Sequence, residues 1–110
     1  MLFIDKNNNI KLTRGDTAIL RLNVTDTSTG NAHELTDGDV AVLTVKASTM
    51  TDVVTIQKAL RGGVFVITPD DTAHLEYGTY RYDVQITMAD GAVYTVIAPA
   101  RFTLTEEVSF

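Results

Sequence analysis

The stretch TPDDTAHLEYGTYRYDVQITM, residues 68–88, decides the fold class of this chain. From Thr79 onward its residues alternate between apolar and polar. One parity carries Tyr80, Tyr82, Val84, Ile86 and Met88, and the other carries Arg81, Asp83, Gln85 and Thr87. Because successive side chains of a strand point to opposite faces of a sheet, this pattern predicts a half-buried antiparallel strand with one dry face.

The residues before this strand predict a short corner helix. Thr68 suits a helix cap, Pro69 suits the first helical position, and Asp70 and Asp71 suit the positive end of the helix dipole. Gly78 follows soon and leaves room for barely two turns. We expect this helix to carry the chain from one sheet to the other. Paired carboxylates can also act as acid and base, but the position after Thr68 favours the capping role.

Tyr80 has two interpretations. Leu75, Gly78 and Tyr80 together resemble a tyrosine corner, in which a tyrosine near the start of a strand donates its hydroxyl hydrogen bond to upstream backbone. Gly78 would supply the backbone freedom that such a corner needs. The alternative is an ordinary aromatic residue of the core.

Turn signals divide the rest of the chain into short strands. We predict strands at 2–5, 10–13, 17–26, 40–47, 53–60, 64–68 and 92–98, and a last strand from Phe102 to near Glu106. Their predicted inward side chains include Ala18, Leu20, Leu22, Val24, Leu43, Val45, Val54, Ile56, Leu60, Phe65 and Ile67. Segment 27–39 is predicted to be a loop anchored by Leu35. About eight or nine short strands in 110 residues predict one all-β domain, residues 1–110, folded as an antiparallel β-sandwich.

Five connections carry specific predictions. Asn7-Asn8-Asn9 and Arg61-Gly62-Gly63 are predicted turns, and Asp90-Gly91 is the strongest hairpin signal in the chain. Pro99 is expected to interrupt the strand ladder because it has no backbone donor. Arg14-Gly15-Asp16 spells an integrin-binding tripeptide, but its position between two strands favours a plain turn.

Composition excludes several classes of function. Nine basic against fourteen acidic residues give a net charge of −5, which argues against a nucleic-acid surface. Cysteine is absent, so neither disulfides nor thiolate metal sites are expected. No apolar stretch approaches the length of about 20 residues that a membrane span needs. The N-terminus lacks the pattern of a signal peptide, so we expect synthesis in the cytoplasm.

The residues that could carry chemistry predict no enzyme, cofactor or metal site. The two histidines, His33 and His74, lack the spacing of zinc ligands or a catalytic pair. Asp37 and Asp39 flank Gly38, but the rest of a calcium loop is missing, so a turn is favoured. Neither a phosphate-binding loop nor a nucleophile elbow surrounds the remaining candidates, which are Gly62, Gly63, Ser28, Ser48 and Ser109.

The joint order of several motifs resembles a known family. In this chain the motifs are Arg14-Gly15-Asp16-Thr17, Leu35-Thr36-Asp37, the strand ending in Val45-Lys46, Thr68-Pro69-Asp70-Asp71-Thr72, Gly78-Thr79-Tyr80-Arg81-Tyr82-Asp83-Val84-Gln85, Asp90-Gly91, and the closing strand Phe102-Thr103-Leu104. They resemble the N-terminal domain of baseplate upper proteins from tailed bacteriophages of Gram-positive hosts. The family typically has Gly where this chain has Asp37, and its members continue into helical and receptor-binding regions.

The resemblance implies an immunoglobulin-like β-sandwich that docks into a phage or prophage tail tip or baseplate, and it implies no catalytic residues. The expected partners are other tail proteins or further copies of the chain, and the expected location is the virion. The apolar ends, Leu2-Phe3 and Val108-Ser109-Phe110, pack either on a neighbouring subunit or on their own domain. The alternative function is a carbohydrate-binding or adhesion module, for which Tyr77 and Tyr94 are the candidate exposed aromatics.

Overall fold

A computed structural model describes residues 2–22 and 38–106 of the chain. The described elements are β1 (Leu2–Ile4), β2 (Ile10–Thr13), β3 (Ala18–Arg21), β4 (Val40–Lys46), β5 (Ile56–Ala59), β6 (Val64–Ile67), α1 (Pro69–Thr72), β7 (Gly78–Thr87) and β8 (Val93–Thr105). The protein is therefore all-β with one short helix, as the alternating patterns predict. The predictions for Val24, Leu35 and the loop segment 27–37 lie outside the described residues.

The strands form one large mixed sheet and one small sheet. The large sheet has six strands in the order β1-β2-β8-β7-β4-β5, and the small sheet pairs β3 with β6. All neighbours are antiparallel except β2 and β8, which run parallel with Ile10 opposite Phe102. The immunoglobulin-like sandwich stays a prediction, since the described part of the chain gives the second sheet two strands.

Both sheets contribute to one core. The inward faces of the large sheet supply Leu12, Leu43, Val45, Val84 and Phe102, among others, and each of these five is at most 1% exposed. The small sheet adds Ala18, Leu20, Phe65 and Ile67 to the same hydrophobic cluster. The predicted dry parity of β7 is confirmed, because Tyr82, Val84 and Ile86 are buried while Tyr80 and Met88 are partly buried. Burying this apolar surface is the main favourable term that the fold has.

Two of the predicted turns need glycine for a physical reason. Gly62 and Gly63 both have positive φ, 59° and 81°, and Arg61 and Val64 exchange backbone hydrogen bonds across them. This tight turn carries the chain from β5 in the large sheet to β6 in the small one. Gly91 has φ 92° and ends the loop between β7 and β8, where the Met88 amide donates to the Ala92 carbonyl at 2.7 Å. The predicted hairpin is confirmed.

The sequence predicts two strands separated at Pro99 in the last part of the chain. The structure has a single strand there. β8 is continuous from Val93 to Thr105. Its register against β7 shifts between the pairs Tyr82–Ala100 and Val84–Ile97, and Pro99 lies in that irregularity. A proline is tolerated at a bulge because no ladder hydrogen bond is required from its nitrogen there.

The strand predicted at 53–60 is shorter than expected. β5 begins at Ile56, which is buried, whereas Val53 and Val54 lie outside the strand and are 71% and 45% exposed. The prediction of Val54 as an inward residue was therefore wrong. Leu60 is partly buried against the core, as predicted.

Candidate functional site

The Arg14-Gly15-Asp16 turn is fastened to the corner helix. The Gly15 amide donates to the hydroxyl of Thr72 at 2.9 Å, and the Arg14 guanidinium donates to the carbonyl of Leu75 at 3.1 Å. Thr72 is completely buried, and the guanidinium carbon of Arg14 lies 4.4 Å from the centroid of the Tyr77 ring. A cation over an aromatic face is attracted by the ring quadrupole. The turn thus joins β2 to the corner, which agrees with the structural interpretation rather than with integrin binding.

The start of α1 is held by Asp71. Its carboxylate accepts hydrogen bonds from the amide and hydroxyl of Thr68 at 2.7 and 3.0 Å, and it forms an ion pair with Lys58 at 2.8 Å. Burial raises the pKa of the Asp71 carboxyl, but hydrogen bonds from Lys58 and Thr68 outweigh that effect and leave the pKa below its ordinary value. The predicted capping role is confirmed for Asp71, while Asp70 is exposed on the same turn.

The tyrosine-corner hydrogen bond is present. The Tyr80 hydroxyl donates to the backbone carbonyl of Glu76 at 2.9 Å, four residues upstream. Gly78 between them has φ 140°, a conformation that side chains disfavour. Of the two interpretations of Tyr80, the corner is therefore confirmed.

Tyr82 makes a long-range contact that no local sequence pattern predicts. Its hydroxyl donates to the backbone carbonyl of Asn8, in the turn between β1 and β2. Burial, with a smaller contribution from the charge of Asp5, raises the pKa of Tyr82 to about 12. Hydrogen bonds from the backbone and side chain of Asn9 hold the pKa of the Asp5 carboxyl below its ordinary value. The contact anchors the β1–β2 turn to the centre of the large sheet.

The residues considered for chemistry are dispersed. His74 is exposed beside the corner helix, and Asp39 accepts a hydrogen bond from the Ala89 amide at 2.9 Å. Residues 2–22 and 38–106 contain no group of three or more histidine, cysteine or acidic side chains able to hold a metal. His33, Asp37, Ser28 and Ser109 lie outside the described residues.

A shallow polar groove of about 320 Å³ lies on the outer face of the large sheet, over β4, β5 and β7. Its lining includes Thr44, Lys46, Gln57, Arg81, Asp83 and Gln85. The Gln57 and Gln85 amides donate to the hydroxyls of Thr44 and Thr95 at 3.2 and 3.4 Å. The polar parity of β7 indicates this wet face, but which side chains become neighbours depends on the register between strands.

Several strands expose apolar side chains, and β1 and the small sheet each expose a pair. Phe3 and Ile4 are 61% and 46% exposed on β1, the first strand of the large sheet. Ile19 and Val66 face each other across the small sheet and are 62% and 41% exposed. Contiguous exposed apolar residues on strands are features of surfaces that contact other proteins. Leu2, in contrast, packs against the protein's own core, and Val108-Ser109-Phe110 lies outside the described residues.

The two candidate aromatics for sugar binding have different surroundings. Tyr77 is 43% exposed, and one region of its surface is covered by the Arg14 guanidinium. Tyr94 is 57% exposed on β8, and neither tyrosine lines the polar groove. The structure therefore does not bring the two tyrosines and the groove together as one site.

Comparison with known proteins identified no relative of this chain. No family model matches the chain, and no curated protein matches it. Among the described residues, no helix has the length and apolar character needed to cross a membrane.

Proposed function

We propose that this chain is a non-catalytic docking module of a phage or prophage tail or baseplate, which joins other proteins of the virion. The order of motifs from Arg14 to Leu104 supports the tail family. The observation that carries the docking role is the edge of the large sheet at β1, which no strand of residues 2–22 and 38–106 covers and where Phe3 and Ile4 are exposed.

An open strand edge is suited to docking because it offers unpaired backbone groups to another chain. A partner strand can add to such an edge and gain main-chain hydrogen bonds, while side-chain pockets supply the specificity. Phe3 and Ile4 are consecutive, so their side chains project from opposite faces of β1. A strand added at this edge would therefore have an exposed apolar side chain of β1 beside it on each face of the sheet. Edges that stay free are commonly protected by lysine or proline, and Leu2–Ile4 contains neither.

The test is incorporation into particles. The tagged chain is expressed in the lysogenic host, and tail-bearing particles are purified after induction and examined by mass spectrometry and immunogold electron microscopy. We expect the tag at the tail end opposite to the capsid. Phe3→Lys should reduce incorporation strongly, whereas Val53→Lys, at an exposed apolar residue outside the strands, should not.

Circular dichroism of the two purified variants checks that both are folded. Particles that contain every other tail protein but not this chain would refute the tail assignment. Equal incorporation of the Phe3→Lys and Val53→Lys variants would refute docking through β1. The adhesion alternative predicts instead a glycan-array signal that Tyr94→Ala removes.

A further inference from the structure

Three cations stand side by side on the outer face of the large sheet. Lys46 on β4 is directly opposite Arg81 on β7, and Arg81 is directly opposite Arg101 on β8. Opposed side chains on neighbouring strands have their Cβ atoms about 5 Å apart. We call these three residues the cation row. It holds three of the nine basic residues of a chain whose net charge is −5.

The cation row is costly to the isolated fold. Like charges directly opposite each other on neighbouring strands are destabilising. In the described part of the chain none of the three side chains forms an ion pair, although the charge of Arg101 acts on Asp5 at longer range. Asp83 is the one acidic residue that the described strands place on this face, and it lies opposite Thr44 rather than opposite a cation. An anionic partner would relieve this repulsion.

The groove beside the row indicates which kind of anion fits. Lys46 and Arg81 line it with donors and positive charge, and Gln57 and Gln85 add carboxamides. Asp83 also lines it, and an ionised carboxylate can only accept hydrogen bonds. The sugar-phosphate backbone of DNA has no donor to offer Asp83, and the phosphates of DNA and RNA alike would be repelled by its carboxylate. A peptide supplies N–H donors and C=O acceptors from its backbone, and acidic side chains supply the anions.

We propose that the cation row and its groove bind an acidic peptide segment of a partner protein. Arg81, at the centre of the row, forms an ion pair with one carboxylate of that segment, and Lys46 forms an ion pair with a second carboxylate. Asp83 accepts a backbone N–H, and the carboxamides contact the peptide groups. The groove lies over β4, β5 and β7, and Arg101 of the cation row lies on β8, which β2 separates from the β1 edge. Binding here therefore does not depend on the docking role proposed for β1.

The test measures binding to the whole chain by fluorescence anisotropy at low ionic strength. The probes are fluorescein-labelled hexaglutamate, the matching hexaglutamine peptide and a labelled single-stranded oligodeoxythymidylate. Arg81→Gln removes the central cation. Arg61→Gln is the matched control, because it changes the net charge equally at an exposed residue in the β5–β6 turn. Thermal unfolding of each variant checks its fold.

We expect hexaglutamate to bind and hexaglutamine not to bind. Arg81→Gln should weaken hexaglutamate binding about tenfold, as loss of a hydrogen bond between charged groups does, and Arg61→Gln should change it by less than about twofold. Hexaglutamate should also raise the melting temperature of the parent protein but not of Arg81→Gln. Equal weakening by both substitutions, tighter binding of the oligonucleotide, or no binding of hexaglutamate would each overturn the proposal.

Discussion

Tyr80 and Tyr82 lie two residues apart on β7 and use their hydroxyls for different purposes. Tyr80 closes a local corner by donating to Glu76, whereas Tyr82 ties the β1–β2 turn to the sheet by donating to Asn8. The first contact spans four residues and the second spans 74. At the scale of single residues, the local contact could be predicted from the spacing of Leu75, Gly78 and Tyr80. The distant one could not, since nothing near Asn8 in the sequence points to Tyr82.

The contribution of the Tyr80 hydrogen bond to the free energy of unfolding can be measured. Tyr80→Phe removes the hydroxyl and leaves the Glu76 carbonyl to water, because the bond is solvent-exposed. We expect a loss of about 0.5–1.5 kcal/mol in the free energy of unfolding, measured by urea denaturation. Tyr94→Phe is the control, since no hydrogen bond joins the Tyr94 hydroxyl to the described residues. Equal unfolding midpoints for the two variants would mean that the corner bond contributes nothing.

Tyr82 predicts a loss of stability at alkaline pH. Its pKa rises from 10.0 in the free side chain to about 12 in the folded protein. The folded state therefore keeps the proton while the unfolded chain loses it. The contribution of the protonated Tyr82 hydroxyl to the free energy of unfolding is fully present below pH 10. It is lost as the pH rises towards 12, by an amount on the order of 2 kcal/mol.

The measurement is urea denaturation of the parent protein and of Tyr82→Phe, which has no proton to lose, between pH 8 and 11.5. The stability advantage of the parent should shrink above pH 10. A constant difference between the two proteins over this range would show that Tyr82 titrates normally.

At the scale of elements, the corner helix α1 is hydrogen-bonded to the segment that follows β2. The buried hydroxyl of Thr72 on α1 accepts the Gly15 amide that follows β2. Thr72→Val keeps the shape but removes this acceptor, so it should lower the free energy of unfolding by about 1–2 kcal/mol. Thr72→Ser, which keeps the hydroxyl, should recover part of the loss. If valine and serine destabilise the protein equally in thermal and urea unfolding, the hydrogen bond is not the cause.

Elements with a local signal could be predicted, and those defined by a partner strand could not. The alternation in β7, the capping residues of α1 and the Asp90-Gly91 loop all act within a few residues. The parallel pairing of β2 with β8 joins residues about ninety positions apart, and no local pattern encodes it. The same limit applies to the candidate site. Parity marks Arg81 as outward, but only the register places Lys46 and Arg101 beside it.

At the scale of the whole molecule, the single core predicts that the two sheets unfold together. Phe65 of the small sheet is 2% exposed and belongs to the same cluster as Leu43 and Val84 of the large sheet. Phe65→Ala removes a large buried side chain and should cost about 3–5 kcal/mol. Val66→Ala, at the next residue of β6 but 41% exposed, should cost much less.

Hydrogen exchange separates a shared core from two independent ones. If the sheets are cooperative, Phe65→Ala lowers the protection of backbone amides in β4 and β7 as much as in β3 and β6, because global unfolding then limits exchange in both sheets. Loss of protection confined to β3 and β6 would mean that the small sheet opens by itself, contrary to the prediction. A cooperative result would also matter for docking at β1. An added strand would then stabilise the small sheet as well, since any partner that binds only the folded state shifts the whole equilibrium.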